Sequence, residues 1–175
     1  MQQTFKLRKF LPDDLQNVMQ INRVCLPENY SDFFFMDLHQ RFPETFIVAE
    51  EDGKIAGYIM CRIEVGLSNF GFGGLIRKGH VVSIAVLPQY RREGIAQALI
   101  TKALDGMQFY KAKQCFLEVR VTNDAAISLY KELGFEVLLE PVDISSEECT
   151  TCITAFHDRY KTIYTRRESD RKPTI

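Results

Sequence analysis

The run His80-Val-Val-Ser-Ile-Ala-Val-Leu87 is apolar almost throughout and stops at Pro88. It then passes through Gln-Tyr-Arg-Arg-Glu-Gly94 into a stretch that is apolar at helical spacing as far as Met107. A buried strand that feeds a short turn and opens a helix leaves the first backbone N–H groups of that helix without internal partners, all facing one point. The helix dipole favours an anion there, Gly94 lets a ligand approach the backbone, and small Ala96 keeps the helix start clear. No Gly-x-Gly-x-x-Gly and no Gly-Lys-Ser/Thr occurs, so the dinucleotide and Walker fingerprints do not apply. A pyrophosphate-bearing ligand of another kind is implied.

The rest of the chain supplies a sheet around this unit. Residues 4–9 alternate as a strand, Pro12-Asp13-Asp14 opens a helix carrying Leu15, Val18, Met19, Asn22 and Leu26, and Ser31-Asp32 starts a second helix over 33–42. Residues 45–50 and 54–64 read as two strands joined by Asp52-Gly53, a strong hairpin signal. Residues 66–79 hold five glycines and read as a mobile loop. Strands are expected at 80–87, 114–121 and 135–139, helices at 94–107 and 123–133, a loop over 140–155 and a last strand at 160–166. The expected fold is therefore α/β, or α+β, with a mixed sheet and helices on both faces. The length of 175 residues and the lack of a linker predict one domain over 1–167, followed by a frayed tail at 168–175.

A net charge of −1 gives no global electrostatic footprint for nucleic acid, and no run is long enough to span a membrane. A cytoplasmic protein that binds neither is expected. The five cysteines are odd in number and irregularly spaced, which argues against a disulfide framework. Cys149 and Cys152 have no second Cys/His pair at zinc-finger spacing, so no resident metal is expected.

Arg91-x-x-Gly94-x-Ala96 after Ser83-Ile-Ala-Val86 resembles the acetyl-CoA signature of the GNAT acetyltransferase superfamily. Asn123-Asp-Ala-Ala-Ile-Ser-Leu-Tyr130 followed by Gly134-Phe135 resembles that superfamily's second element. Together with Cys25-Leu-Pro-Glu-Asn-Tyr30, His80 and Leu117-Glu-Val-Arg120, the similarity narrows to protein N-alpha-acetyltransferases of the NatA catalytic-subunit and RimI-like kind, most like archaeal members. It covers about residues 4–139. It implies the GNAT fold, with about seven mostly antiparallel strands that splay between the fourth and fifth.

The resemblance also implies roles. The CoA pyrophosphate would lie on Arg92, Glu93, Gly94, Ile95, Ala96 and Gln97 beside Arg91, and the thioester on Ile84, Ala85 and Val86. Asn123 would bind the cofactor arm and Tyr130 would protonate the departing thiolate; as isolated residues, Asn123 reads equally as a helix cap and Tyr130 as packing. Glu28 would take the amine proton, directly or through water. His80 and Glu118 would form a second base or relay, against the plainer readings of a backbone-bonded histidine and a solvated carboxylate. Leu26, Pro27, Tyr30 and Tyr164 would line the site of a peptide N-terminus beginning Met, Ser or Ala.

Two further readings stay open. NatA-type relatives carry Tyr-Tyr-Ala-Asp-Gly-Glu-Asp-Ala-Tyr before their last strand, where this chain has Phe156-His-Asp-Arg-Tyr160-Lys-Thr-Ile-Tyr164. A lysine or small-amine acetyltransferase, or a non-catalytic acetyl-CoA-binding subunit, is therefore the alternative. The basic tail Arg166, Arg167, Arg171 and Lys172 reads as a solvated run or a ribosome contact, and an auxiliary subunit is a further candidate partner.

Overall fold

The computed structural model describes residues 4–68, 74–120, 122–138 and 150–156, the last seven and 137–138 as backbone. The strands are β1 (Lys6–Lys9), β2 (Phe46–Glu51), β3 (Lys54–Leu67), β4 (Leu75–Val86), β5 (Gln114–Arg120), β6 (Glu136–Leu138) and β7 (Thr150–Phe156). The helices are α1 (Leu15–Cys25), α2 (Asp32–Arg41), α3 (Ile95–Phe109) and α4 (Asp124–Glu132). One seven-stranded sheet runs β1-β2-β3-β4-β5-β7-β6. Every pairing is antiparallel except β4 with β5, which is parallel.

Alternation along the central strands separates two cores. Phe46, Val48, Tyr58 and Met60 point toward α1 and α2, where they meet Val18, Ile21, Phe35 and Leu38. Ile47, Ala49, Ile59 and Cys61 point the other way, toward Leu99, Ile100 and Ala103 of α3 and Tyr130 of α4. Both faces of β2 and β3 are thus covered, and the expected element order and two-faced arrangement hold. Asp52 and Gly53 both adopt positive φ (48° and 74°), as the two-residue hairpin turn demands. Ser31 caps α2 by accepting from the Phe34 N–H, at 3.3 Å.

Two expectations are corrected. The loop expected over 66–79 is shorter, because β3 extends to Leu67 and β4 begins at Leu75, pairing Leu67 with Leu75. Gly79 lies inside β4 not for flexibility but for space: a Cβ there would collide with the Met107 sulfur. The loop expected over 140–155 ends early as well, because Thr150–Phe156 is a strand inserted between β5 and β6. The strand expected at 160–166, the tail and Cys149 lie outside the described residues. Among the described residues no helix is long and apolar enough to cross a membrane.

Arg8 of β1 grips the buried Asp14 with both guanidinium ends, at 2.6 and 2.8 Å, while Asp14 accepts from the Leu11 N–H. Burial alone would raise the Asp14 carboxyl, but Arg8 and Leu11 outweigh it and hold it below its ordinary value. A carboxyl with a native pKa below its unfolded one adds stability that is present above the unfolded value, about 4, and is lost as pH falls through the native value. Asp14→Asn should therefore be the less stable protein at neutral pH and show the shallower loss on acidification, as read from urea midpoints at several pH values. At the far side of the sheet, a Cβ on Gly106 of α3 would strike the Glu44 carbonyl oxygen, and backbone cannot swing aside. Gly106→Ala should cost about 1–3 kcal/mol, seen as a lower urea midpoint with unchanged slope.

Candidate active site

The site begins where β4 leaves β5. The two strands pair only from Lys78 opposite Gln114 to His80 opposite Phe116. Beyond His80 the β4 edge has no β5 partner, although β4 continues to Val86. Val82 is the extra residue of a bulge, since Met60 faces Ser83 while Cys61 faces Val81. The bulge re-aims the strand just as the neighbours part, which produces the expected splay. Buried backbone groups need partners, and here side chains from the α1–α2 connection supply some of them. Tyr30 donates its hydroxyl to the Val82 carbonyl at 3.4 Å, and the Cys25 thiol points at the Val86 carbonyl at 3.6 Å. Ile84 lies between Val82 and Val86 on the same edge.

Arg91 folds back from the following turn, and its Nε donates to the Val86 carbonyl at 3.0 Å. Arg92 (φ 70°) and Gly94 (φ 82°) are both left-handed, so successive N–H groups turn to one side ahead of α3. Gly94 is the N-cap and no side chain caps the helix. Arg91, Arg92, Glu93 and Gly94 are exposed, and space is open beside the Gly94 Cα. Ile95 is buried as the anchor of the helix, while Ala96 and Gln97 remain accessible in its first turn. These donors, with the unpaired edge at Ile84, Ala85 and Val86, fit a pyrophosphate joined to an extended arm. Ala85 itself points into the α1–α2 core, so its contribution is backbone only.

Asn123 caps α4 by accepting from the Ala126 N–H at 3.3 Å, which uses its carbonyl oxygen and leaves the amide NH2 able to donate elsewhere. Tyr130 is buried beside Phe135, and burial pushes its phenol up to about 12.

The α1–α2 face of the splay carries the charges. Glu28, in the connection between α1 and α2, meets Arg120 of β5 at 2.5 Å, bridging the two walls. His80 sits flat on Phe116 with ring centroids 4.4 Å apart. Its Nε2 faces Glu118 at 2.8 Å and its Nδ1 faces Glu64 at 3.2 Å. The contact with His80, aided by Arg62, outweighs burial and lowers the Glu118 carboxyl. Tyr30 stacks on Phe34, and burial, reinforced by Glu28 and Glu118, raises its phenol. Leu26 is half-buried, whereas Pro27 is exposed at the rim. The structure thus gathers Glu28, Tyr30, His80 and Glu118 on one side of the parting strands. Tyr164 lies outside the described residues.

Sequence reasoning passed over Arg62 and Glu64 and assigned no role to Arg120. The available signal was polar alternation at Arg62-Ile63-Glu64, where β3 runs past the helices that cover its start. A groove of about 960 Å³ between β1 and α3 touches Gly94 and Gln97 but none of Glu28, His80, Glu118 or Tyr130. The charged groups therefore lie apart from it.

Comparison with known proteins agrees with this geometry. Residues 15–135 match the Acetyltransferase (GNAT) family. An N-alpha-acetyltransferase of Sulfurisphaera tokodaii is 48% identical over 134 residues, covering 75% of this chain and 80% of its own. Ard1 from Thermoplasma volcanium superposes with a TM-score of 0.70 at 27% identity, over 87% of this chain and 97% of that one. Chaetomium thermophilum Naa20, solved with a bisubstrate analogue, gives 0.71 at 28% identity over 86% of each chain. A strand that parts from its neighbour, a turn of exposed amides at Gly94 and these relatives lead to one assignment: the chain belongs to the GNAT acetyltransferase family, among its N-alpha-acetyltransferases.

Proposed function

We propose that this chain moves the acetyl group of acetyl-CoA onto the free α-amine of protein N-termini, with Met, Ser or Ala first. The observation that carries the reading is the splay itself. It sets an unpaired strand edge and a turn of free amides on one side of a cleft whose other side carries Glu28 and His80. Acetyl-CoA, when bound, supplies an electrophilic thioester carbonyl. Arg92 to Gln97 would hold its pyrophosphate, Asn123 its arm, and the edge at Ile84 to Val86 its carbonyl oxygen.

Glu28 takes the proton of the amine, directly or through one water, as the amine nitrogen bonds to the acetyl carbon and the carbon–sulfur bond breaks. An α-amine, with a pKa of about 8, needs only a modest base, whereas a lysine amine near 10.4 needs a stronger one. His80 and Glu118 lie along the same face and pass the proton outward. Tyr130 faces the departing sulfur as a donor. A phenol at about 12 keeps its proton against a thiolate, so its contribution is a hydrogen bond rather than full transfer. Leu26, Pro27 and Tyr30 shape the pocket for the first residue, with Tyr164 from the C-terminal segment.

Short peptides beginning Met, Ser or Ala should be acetylated, while the same peptides with a blocked N-terminus and an internal lysine should not. Turnover of the lysine peptide alone, or binding of acetyl-CoA without turnover of any amine, would sink the reading. Glu28→Gln should lower kcat by about 10²- to 10⁴-fold with acetyl-CoA affinity retained in calorimetry. Tyr130→Phe should lower kcat less, by about tenfold, the size of one neutral hydrogen bond.

A further inference from the structure

We infer that Glu64 is a positioning residue that decides which nitrogen of His80 is basic. The inference rests on the part assigned above to His80 and names a residue outside that constellation. Arg62 and Glu64 are two apart on β3, so both point to the α1–α2 face of the sheet, and Arg62 is the register partner of His80. Phe116, Glu118 and Arg120 of β5 occupy the same face, so three neighbouring strands set Glu64, His80 and Glu118 in a row. The Glu64 Oε1 accepts from Arg62 Nε at 2.5 Å and meets His80 Nδ1 at 3.2 Å.

Both ring nitrogens therefore face carboxylate oxygens, which only accept. A neutral imidazole carries one N–H and can satisfy one of them. The Arg62 guanidinium, permanently charged, keeps Glu64 ionised and fixes its oxygen at Nδ1. The ring lies against Phe116 with its side chain 12% exposed, so rotation away from this seat is blocked. With its single N–H donated from Nδ1 to Glu64, the neutral ring turns the Nε2 lone pair toward Glu118. Glu118 is about half exposed, and the amine proton arrives from that side. Without Glu64 the N–H would move to Nε2 and bind Glu118, and the basic nitrogen would face away from the cleft. The other charged or titratable groups on this face are Lys78 over Phe116, Arg120 paired with Glu28, and Tyr30.

The test is 15N NMR of the neutral imidazoles, with His80 assigned by loss of its signals in His80→Ala, together with steady-state kinetics. Wild type should show the Nδ1–H tautomer at His80, and Glu64→Ala should shift it to Nε2–H. The same change should lower kcat with peptide by about 10- to 100-fold, the range seen when the partner that orients a functional histidine is removed, with KM for acetyl-CoA unchanged. Glu64→Gln, which keeps an acceptor at Nδ1, should restore the Nδ1–H form and most of the rate. Glu64→Ala added to His80→Ala should cost nothing more in kcat, because the two act as one unit. An unchanged tautomer in Glu64→Ala, or a further loss in the double variant, would overturn the inference. If Glu64→Ala fails to fold, Glu64→Leu carries the same comparison. Should His80→Ala turn over peptide at the wild-type rate, the role of His80 itself falls, while the tautomer measurement still judges Glu64 on its own.

Discussion

The parting of β4 from β5 is the constraint on which the rest of this protein depends. A strand in the middle of a sheet is stable because each backbone N–H and C=O has a partner, and β4 gives up that arrangement on one edge after three paired residues. The Val82 bulge turns the strand at the same place, and Tyr30, Cys25 and Arg91 satisfy the carbonyls of Val82 and Val86. The cleft is held open by hydrogen bonds rather than left as a defect. What stays available along it is a set of donors, which a thioester ligand can use and a further strand cannot.

The charged groups follow from the same opening. Where β4 and β5 still pair, their side chains lie against neighbours, as His80 does on Phe116. Where they separate, Glu118 and Arg120 face the α1–α2 connection instead, and Arg120 reaches Glu28 across the gap. That ion pair is exposed, so its contribution to stability is small, of the order of 0–1 kcal/mol. Its importance is geometric, because it holds the side chain that must meet the amine against the opposite wall.

Much of this was legible from residues alone wherever the physics is local. Asp52-Gly53 requires a turn with two positive φ angles, Ser31 and Asn123 cap helices through their own side chains, and Gly94 permits a left-handed turn ahead of α3. Misreadings arose where local composition spoke against distant packing. Glycines at 66, 74 and 79 read as a loop, yet Gly79 is glycine because Met107 of α3 occupies the place of its side chain. Thr150–Phe156 follows a polar, serine- and glutamate-containing stretch, and only pairing with β5 and β6 makes it a strand. Glu64 carried no motif, because its partner His80 lies on another strand.

The sequence by itself determined the order of strands and helices, the amide-rich turn at Gly94 and the family to which the residues around it belong. Periodicity, capping and glycine stereochemistry act over a few residues and leave their mark in the order of side chains. Only the tertiary structure decided that β4 and β5 separate beyond His80, that Glu28 meets Arg120, and that Glu64, His80 and Glu118 form one row. Those contacts join residues 16 to 92 positions apart, and which of them meet is set by strand register and by the bulge at Val82.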